Sequence, residues 1–369
     1  MIVQLADYAA LYTGNFIYSI IGISKKIKQT RGEETLAIFP IEAKIAEWIN
    51  LLTDNDIKTC FIDMNLSSKE RINKIKDIID DDKDIPTIIH THFARFEMDS
   101  IELKKYYRSK LIHHKHMGFT RDTLKYKLFD LYKFRFLVNK YVDKIVPVSN
   151  HVKDIMIKSG CKREIIEVIP NGIFVDKHLI SNEKRKFARQ SYNIDHKDKV
   201  ILLFGYDIKT KGTDILLETI KYLIGDFKVI FVGRDQMKNY IKNSEIYNEF
   251  KEKIILIEHM EDVSMLFNMS DIFVSASRVE ACSYAIGEAM LYELPIIMSD
   301  IKGNLLYEEA GEGVFLFKSE DILDLSEKIN MLLSDEGKKY SSNRNFILEN
   351  CNISNWSDKI LRLYNEILD

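Results

Sequence analysis

Asp271-Ile-Phe-Val-Ser-Ala-Ser277 runs directly into Arg278-Val-Glu-Ala-Cys-Ser-Tyr-Ala-Ile-Gly-Glu-Ala-Met290. The first stretch reads as a buried strand: short, apolar and ending in small polar residues. The second carries two carboxylates, Glu280 and Glu288, on either side of a run of small residues. With the strand ending near Ser275 and a helix beginning near Ser283, the first N–H groups of that helix face the carboxyl edge of a sheet, where α/β domains bind phosphate. Glu280 then stands on the loop before the helix and Glu288 inside it. Carboxylates are poor partners for phosphate but good acceptors for sugar and ribose hydroxyls. Together these features describe a nucleotide-sugar pocket. The plainer alternative is a surface helix that happens to carry two glutamates, since Glu is a favoured helix residue.

The rest of the chain has the same grammar. Short Ile- and Val-rich runs alternate with amphipathic stretches, the pattern of βαβ units and parallel sheets. Strands are expected at 2–5, 35–39, 58–62, 86–90, 110–113, 144–148 and 167–169, then at 199–204, 227–232, 253–257, 271–274, 295–298 and 313–317. Helices are expected at 150–158, 214–223 and 321–333. At 369 residues the chain is long enough for two cores. The polar, charge-rich segment 174–197 is the expected boundary, giving domains at 1–180 and 198–350. Charge divides across it: residues 1–180 carry 29 Lys+Arg and 24 Asp+Glu, a net of +5, and the remainder a net of −8.

Several landmarks occur in an order that resembles one family. The run from Ser270 through Glu280 and Glu288 to Ala289-Met290 and Leu294-Pro295 resembles the Glu, seven residues, Glu signature of family-4 retaining glycosyltransferases, the glycosyl transferases of group 1 with a GT-B fold. Asp84-Ile-Pro-Thr-Ile-Ile-His-Thr-His-Phe93, Asp143-Lys-Ile-Val-Pro-Val-Ser-Asn150, Ile165-Ile-Glu-Val-Ile-Pro-Asn-Gly-Ile173 and Val200-Ile-Leu-Leu-Phe-Gly-Tyr-Asp-Ile-Lys-Thr-Lys-Gly-Thr-Asp214 resemble further landmarks of that family. The resemblance covers nearly the whole chain. It implies two Rossmann-like doubly wound α/β domains facing a central cleft, with a final helix, 352–369, crossing back onto the N-terminal domain.

The resemblance also implies roles. Lys211 would bind the donor phosphates, with Gly212 leaving room for the backbone. Glu280 would hold donor-sugar hydroxyls and Glu288 the ribose. Gly14, in Leu11-Tyr-Thr-Gly-Asn-Phe16, would approach the phosphate from the other domain; a simple turn is the alternative. His116 takes the place of the active-site histidine, so His116, Glu280 and Lys211 form the expected catalytic set. The expected donor contacts are Gly14, Lys209, Lys211, Glu280, Cys282, Ser283, Tyr284 and Glu288. The chain departs from the pattern twice. Tyr206 stands where many members have arginine, removing a bidentate phosphate fork, with Lys209 a candidate replacement. Ala281-Cys282-Ser283 replaces the common Gly-Phe-Gly. Cys282 has no evident activating partner and reads as a packing residue or pocket wall.

Composition bounds the remaining choices. Apolar residues make up 46% and charged residues 30%, an ordinary globular balance. No apolar stretch is long enough to span a bilayer, and the start lacks a signal-peptide pattern. Cys60, Cys161, Cys282 and Cys351 are scattered, so a reduced, cytoplasmic setting is expected. His113, His114 and His116 match no common zinc spacing. Asp80-Asp-Asp82 lies in a charged stretch and not where a donor metal would be held. The expectation is therefore a nucleotide sugar, UDP-linked, with no metal and no cofactor. Residues 104–144 hold 12 Lys+Arg against 3 Asp+Glu, interleaved with aromatics, a composition suited to anionic membrane or a lipid-linked acceptor. A solvated helix packing its aromatics on the sheet is the alternative. No nucleic-acid motif accompanies the charge. Glycan, lipid-linked or protein acceptors all fit. Two rivals stay open on the same fold: a non-catalytic partner subunit, and a nucleotide-sugar epimerase. Base and sugar selection is expected around Arg234 and His259–Glu261.

Overall fold

In the computed structural model, residues 1–82, 84–116, 124–258, 260, 262–335 and 337–369 are described, 124–127 by their backbone alone. They divide into two compact units: Met1–Gly172 together with Ile353–Asp369, and Ile173–Asn352.

The first unit holds strands β1 (Ile2–Ala6), β2 (Thr35–Pro40), β3 (Lys58–Ile62), β4 (Ile88–His92), β5 (Lys110–Lys115) and β6 (Lys144–Pro147). All pair in parallel, in the order β3-β2-β1-β4-β5-β6. β1, β2 and β4 are buried along their whole length, as strands covered on both faces should be. Between them run the helices Asn15–Arg31, Ser68–Asp81 and Glu97–Tyr107. The second of these starts on a capping box formed by Ser67 and Glu70.

The chain's last helix, Ile353–Leu368, belongs to this first unit. Its apolar stripe, Trp356, Ile360, Leu363, Tyr364 and Ile367, joins Ile2, Ile23, Ile27, Ile88, Ile112 and Val146 in one core. Gly22 permits the approach, because a Cβ there would lie 2.5 Å from Ile353 Cγ2. Lys26 and Asp358 close the contact with a 2.5 Å ion pair.

The second unit repeats the plan with β7 (Lys199–Phe204), β8 (Phe227–Gly233), β9 (Ile254–Glu258), β10 (Ile272–Ser275), β11 (Ile296–Ser299) and β12 (Val314–Phe317). The order is β12-β11-β10-β7-β8-β9, again parallel throughout. Read from β9, each sheet has the doubly wound order 3-2-1-4-5-6. In such sheets the crevice between the first and fourth strands, where chain direction reverses, is the binding edge.

Three expectations are corrected. Residues 167–169 do not form a strand: Glu167 and Ile169 donate to the Ile145 and Pro147 carbonyls (2.9 and 3.1 Å), but only Ile166 bridges β6 and Pro170 has no N–H to extend the ladder. The helix expected over 214–223 is an α-helix only over Thr213–Thr219, tightening to a 3-10 turn at Ile220–Tyr222. The segment 174–197 is no bare linker. Ser181 caps the helix Asn182–Ser191, and its arginines turn inward: Arg185 and Arg189 bind the two oxygens of Asp271 at 2.7 and 2.6 Å. Its charge serves a partly buried network, which is why composition alone made it look solvated.

Candidate active site

The reversal crevice of the second sheet is flanked by the loops after β7 and β10, and one contact bridges them. Lys211 Nζ donates to Glu280 Oε1 at 2.6 Å, with only 15% and 11% of the two side chains exposed. Each side of this contact is enforced locally. Gly212, at φ +67°, caps the helix Thr213–Thr219, and a Cβ there would lie 2.0 Å from the Ala276 carbonyl oxygen. The conformation and the space both require glycine. On the other side, Ser277 Oγ donates to the same Glu280 oxygen at 2.8 Å. Ser277 is itself tied down, its carbonyl accepting from Ser299 Oγ at 2.6 Å. Gly303 packs beneath the loop, where a Cβ would come within 1.9 Å of the Glu280 carbonyl oxygen.

Burial pulls the Lys211 ammonium toward neutrality, but the Glu280 carboxylate and the Tyr206 hydroxyl outweigh it and hold the pKa above the ordinary lysine value. Lys211 is therefore a fixed cation. Tyr206, standing where the resembling family has arginine, is largely exposed and sets its ring 5.1 Å from Lys211 Nζ. It offers a π-face to the cation and no positive charge of its own.

Lys209 does not join this pair. It is 75% exposed and donates to Asp214 Oδ2 at 2.7 Å. Asp214 also takes a fork from Arg278 (2.9 and 3.1 Å). Arg278 reaches the Lys209 carbonyl and Glu320 as well, so it staples the two crevice loops together from outside.

The helix after the β10 loop spans Tyr284–Leu291, with Ser283 as its N-cap. The Ser283 side chain makes no capping bond; its carbonyl instead accepts from the buried Tyr307 hydroxyl at 2.5 Å. Cys282 is buried with Sγ 3.5 Å from the same hydroxyl, a packing position. Tyr284 opens the helix. Glu288 lies further along, only 13% exposed, with His178 Nε2 at 3.5 Å and Lys177 Nζ at 3.9 Å. The structure thus gathers Lys211, Glu280 and Ser283 around one sheet edge, and sets Glu288 one to two turns along the helix.

Gly14 and His116 belong to the first unit. Gly14 is the N-cap of the helix Asn15–Arg31, following the loop after β1. A Cβ there would lie 2.8 Å from the Tyr8 hydroxyl. His116 follows β5, with Nδ1 3.2 Å from Asn171 Oδ1 and Nε2 3.1 Å from His92 Nδ1. Burial pulls its pKa down to about 4. Phe93, right after β4, has φ +67°, a costly state for an aromatic residue. Its ring is held between Phe16 (5.2 Å) and His116 (4.6 Å). Arg95 pins the facing loop through Asp7 Oδ1 at 2.6 Å.

Sequence reading passed over Ser277, Gly303, Arg278, Tyr307 and His178. Only Arg278 and His178 carried a local signal, as ionisable groups beside the motifs; the others are ordinary residues made significant by packing. Arg234 is exposed at the end of β8, while His259 and Glu261 lie outside the described residues. Of the basic set at 104–144, Lys104 pairs with Asp143, and both Lys115 and Lys133 turn inward onto the buried Glu97. The helix Leu124–Tyr132 and the wide turn Lys133–Val138 nevertheless expose Leu128, Phe129, Leu131, Tyr132 and Phe136. Phe119 and the Tyr126 side chain fall outside the described residues. No helix among the described residues is long and apolar enough to cross a membrane.

Residues 184–363 match the family model for glycosyl transferases group 1, and residues 60–177 that for glycosyltransferase family 4. The chain is 25% identical over 238 residues to the capsular polysaccharide biosynthesis glycosyltransferase CapM of Staphylococcus aureus, covering 62% of each. It is 27% identical over 289 residues to a UDP-Gal:alpha-D-GlcNAc-diphosphoundecaprenol alpha-1,3-galactosyltransferase of Escherichia coli, covering 75% of this chain and 74% of the relative. The alignment thus spans less than two thirds of the first relative and about three quarters of the second. Among solved structures, Anabaena HepE in complex with UDP superposes with a TM-score of 0.83 at 17% identity, covering 99% of both chains.

Proposed function

The chain belongs to the glycosyl transferases of group 1 and family 4, with their GT-B fold, and on that premise we propose that it is a retaining, metal-independent glycosyltransferase. It moves a sugar from a nucleotide-diphosphate donor, UDP-linked, to a lipid-linked, surface-polysaccharide or protein-linked glycan. The observation that carries this reading is the Lys211–Glu280 contact across the reversal crevice, a largely buried cation and carboxylate beside a helix N-terminus.

Each part has work in such a reaction. As the anomeric carbon separates from the β-phosphate, negative charge grows on the leaving oxygen. A preorganised cation and N–H groups in a site shielded from water are the groups suited to stabilise it. Lys211 and the start of the Tyr284–Leu291 helix supply them. Glu280 takes donor-sugar hydroxyls through its Oε2, Oε1 being held by Lys211 and Ser277. Glu288 takes the ribose. The acceptor oxygen bonds to the anomeric carbon on the face the phosphate leaves, and its proton passes to the leaving phosphate oxygen, so configuration is retained. Lys211 and the helix start carry the leaving-group charge that a metal carries elsewhere. The exposed aromatic and aliphatic side chains at 128–136, with Arg135 and Lys140 beside them, dock the enzyme peripherally on anionic membrane from the cytoplasmic side.

The test is a panel of nucleotide sugars, with EDTA present, read by thermal shift and by release of free nucleotide. One donor that raises Tm and is slowly hydrolysed supports the reading. Binding without turnover, even with candidate acceptors, favours a non-catalytic partner, and interconversion of free donor favours an epimerase.

A further inference from the structure

His116, whose Nδ1 meets Asn171 Oδ1 at 3.2 Å, belongs to a longer hydrogen-bonded chain. Its Nε2 meets His92 Nδ1 at 3.1 Å. His92 Nε2 meets Gln4 Oε1 at 2.8 Å. Gln4 Nε2 meets the Tyr364 hydroxyl at 3.0 Å, and that hydroxyl meets His90 Nδ1 at 2.7 Å. Every member except His116 is almost wholly buried. The chain joins β1, β4, the end of β5 and the last helix, all within the first unit.

We propose that Gln4, His92 and Tyr364 are positioning residues that fix the ring plane and tautomer of His116, so that the two histidines always share one tautomer. This inference rests on the glycosyltransferase reading for its consequence in catalysis, but not for its geometry. Both rings stay neutral near pH 7, since burial pushes the His92 pKa well below the ordinary histidine value and that of His116 to about 4. A neutral imidazole has one N–H and one bare nitrogen. The His92–His116 contact can hold only one proton. If His116 donates from Nε2, His92 Nδ1 is bare and His92 carries its proton on Nε2, facing a Gln4 oxygen. If His92 donates from Nδ1, its Nε2 is bare and must face the Gln4 NH2, while His116 carries its proton on Nδ1. Both rings are then Nε2–H, or both are Nδ1–H. The Nδ1–H state has His116 donating to the Asn171 oxygen and the Nε2–H state needs the Asn171 NH2 there, so the orientations of two amides, Gln4 and Asn171, together select one state for the whole chain, and the Tyr364 hydroxyl anchors Gln4 from its far end.

The surrounding rings leave little freedom to escape this. His114 stacks on His116 at 4.2 Å with planes 12° apart, and Phe16 meets His116 edge-on at 5.4 Å. Metal capture is the competing use of the cluster: His90, His92 and His114 offer nitrogens within 4.8 Å of one another. It is disfavoured because both His92 nitrogens are already bonded, one to His116 and one to Gln4.

The experiment uses the full chain labelled with 15N-histidine, with long-range 1H–15N spectra at pH 7.5 and kinetics on the same preparations. The wild type is expected to show His92 and His116 each in a single neutral tautomer, the same for both. Gln4→Leu is expected to give mixed tautomers for both, with kcat down at least tenfold and the donor KM within threefold. Tyr364→Phe, which keeps the ring packing, is expected to mix them in the same correlated way with a smaller loss of kcat. Opposite tautomers in the wild type, an unchanged kcat in a folded Gln4→Leu protein, or one equivalent of divalent metal that shifts the His92 signals would each overturn the proposal. The tautomers are read without turnover, so a donor panel that fails sinks the functional reading and leaves this result standing.

Discussion

Replacing Lys211 with methionine keeps most of the side-chain volume and removes the charge, so it isolates what the ammonium does. In the resting protein the loss leaves Glu280, 11% exposed, with Ser277 as its remaining bonded partner at the 2.6 Å contact's oxygen. A hydrogen bond to a charged group contributes about 1.5–3 kcal/mol. At about 2–4 °C per kcal/mol for a domain this size, the variant should melt about 3–12 °C lower. In the reaction, loss of one preorganised donor at the leaving oxygen costs about 10²–10³ in kcat. The two effects separate in a double variant. Lys211→Met with Glu280→Gln removes the uncompensated carboxylate, so Tm should recover most of its loss while turnover stays at or below the single-variant level. Differential scanning calorimetry and nucleotide release on the four proteins complete the cycle. Turnover within threefold of wild type in folded Lys211→Met would refute the reasoning outright; a double variant that recovers turnover with stability would show the pair to be structural only.

Other outcomes follow from the same geometry. Gly303→Ala, whose Cβ would lie 1.9 Å from the Glu280 carbonyl oxygen, should displace that loop and weaken donor binding at least tenfold by calorimetric titration, whereas Gly32→Ala, with open space around it but a φ of +64°, should lower stability and leave binding unchanged. Acid should unfold the first unit early. Burial depresses the pKa of His90 to about 3, of His116 to about 4, and of His92, His113 and His114 well below 6.5. The unfolded chain then binds more protons, so stability holds above about pH 6.5 and falls below it by about 1.4 kcal/mol per pH unit for each histidine. Urea midpoints at pH 7.5 and 5.5 check this, and equal midpoints would contradict it. Lys211 has the opposite sign: its raised pKa gives stability present below the unfolded lysine value and lost only as pH climbs past the higher folded one, so it should contribute no slope between pH 6 and 9. Phe129→Ser with Phe136→Ser should reduce co-sedimentation with phosphatidylserine vesicles by more than half and spare neutral vesicles; full retention would remove that surface as the docking face.

The sheets were legible because parallel strands buried on both faces appear as short apolar runs, and nearly every one of those runs is a strand. The failures have local causes. Residues 167–169 have a strand's composition but end at Pro170, which cannot extend a ladder. The segment 181–191 looked like linker because its charges count the same whether solvated or, like Arg185 and Arg189, turned onto the half-buried Asp271. Lys211 and Glu280 could be singled out by their places beside Gly212 and the β10 strand. Their contact could not, since it spans 69 residues and depends on Gly212 turning the chain. Lys209 shows the converse: two residues away, of the same type, it faces Asp214 in solvent. The histidine chain was half visible. Period-two alternation puts His90 and His92 on one face of β4, with His114 paired beside them on β5 and His116 just past its end, but Gln4 and Tyr364 lie 360 residues apart and meet only through the packing of the last helix.

The most direct measurement of the central claim follows the anomeric proton by NMR while the protein, in EDTA, transfers sugar from its preferred nucleotide-diphosphate donor to a lipid-linked acceptor. The account predicts a product with the donor's anomeric configuration, formed without metal and lost in Lys211→Met. An inverted product, strict dependence on added divalent metal, or no reaction with any nucleotide-diphosphate sugar would contradict it.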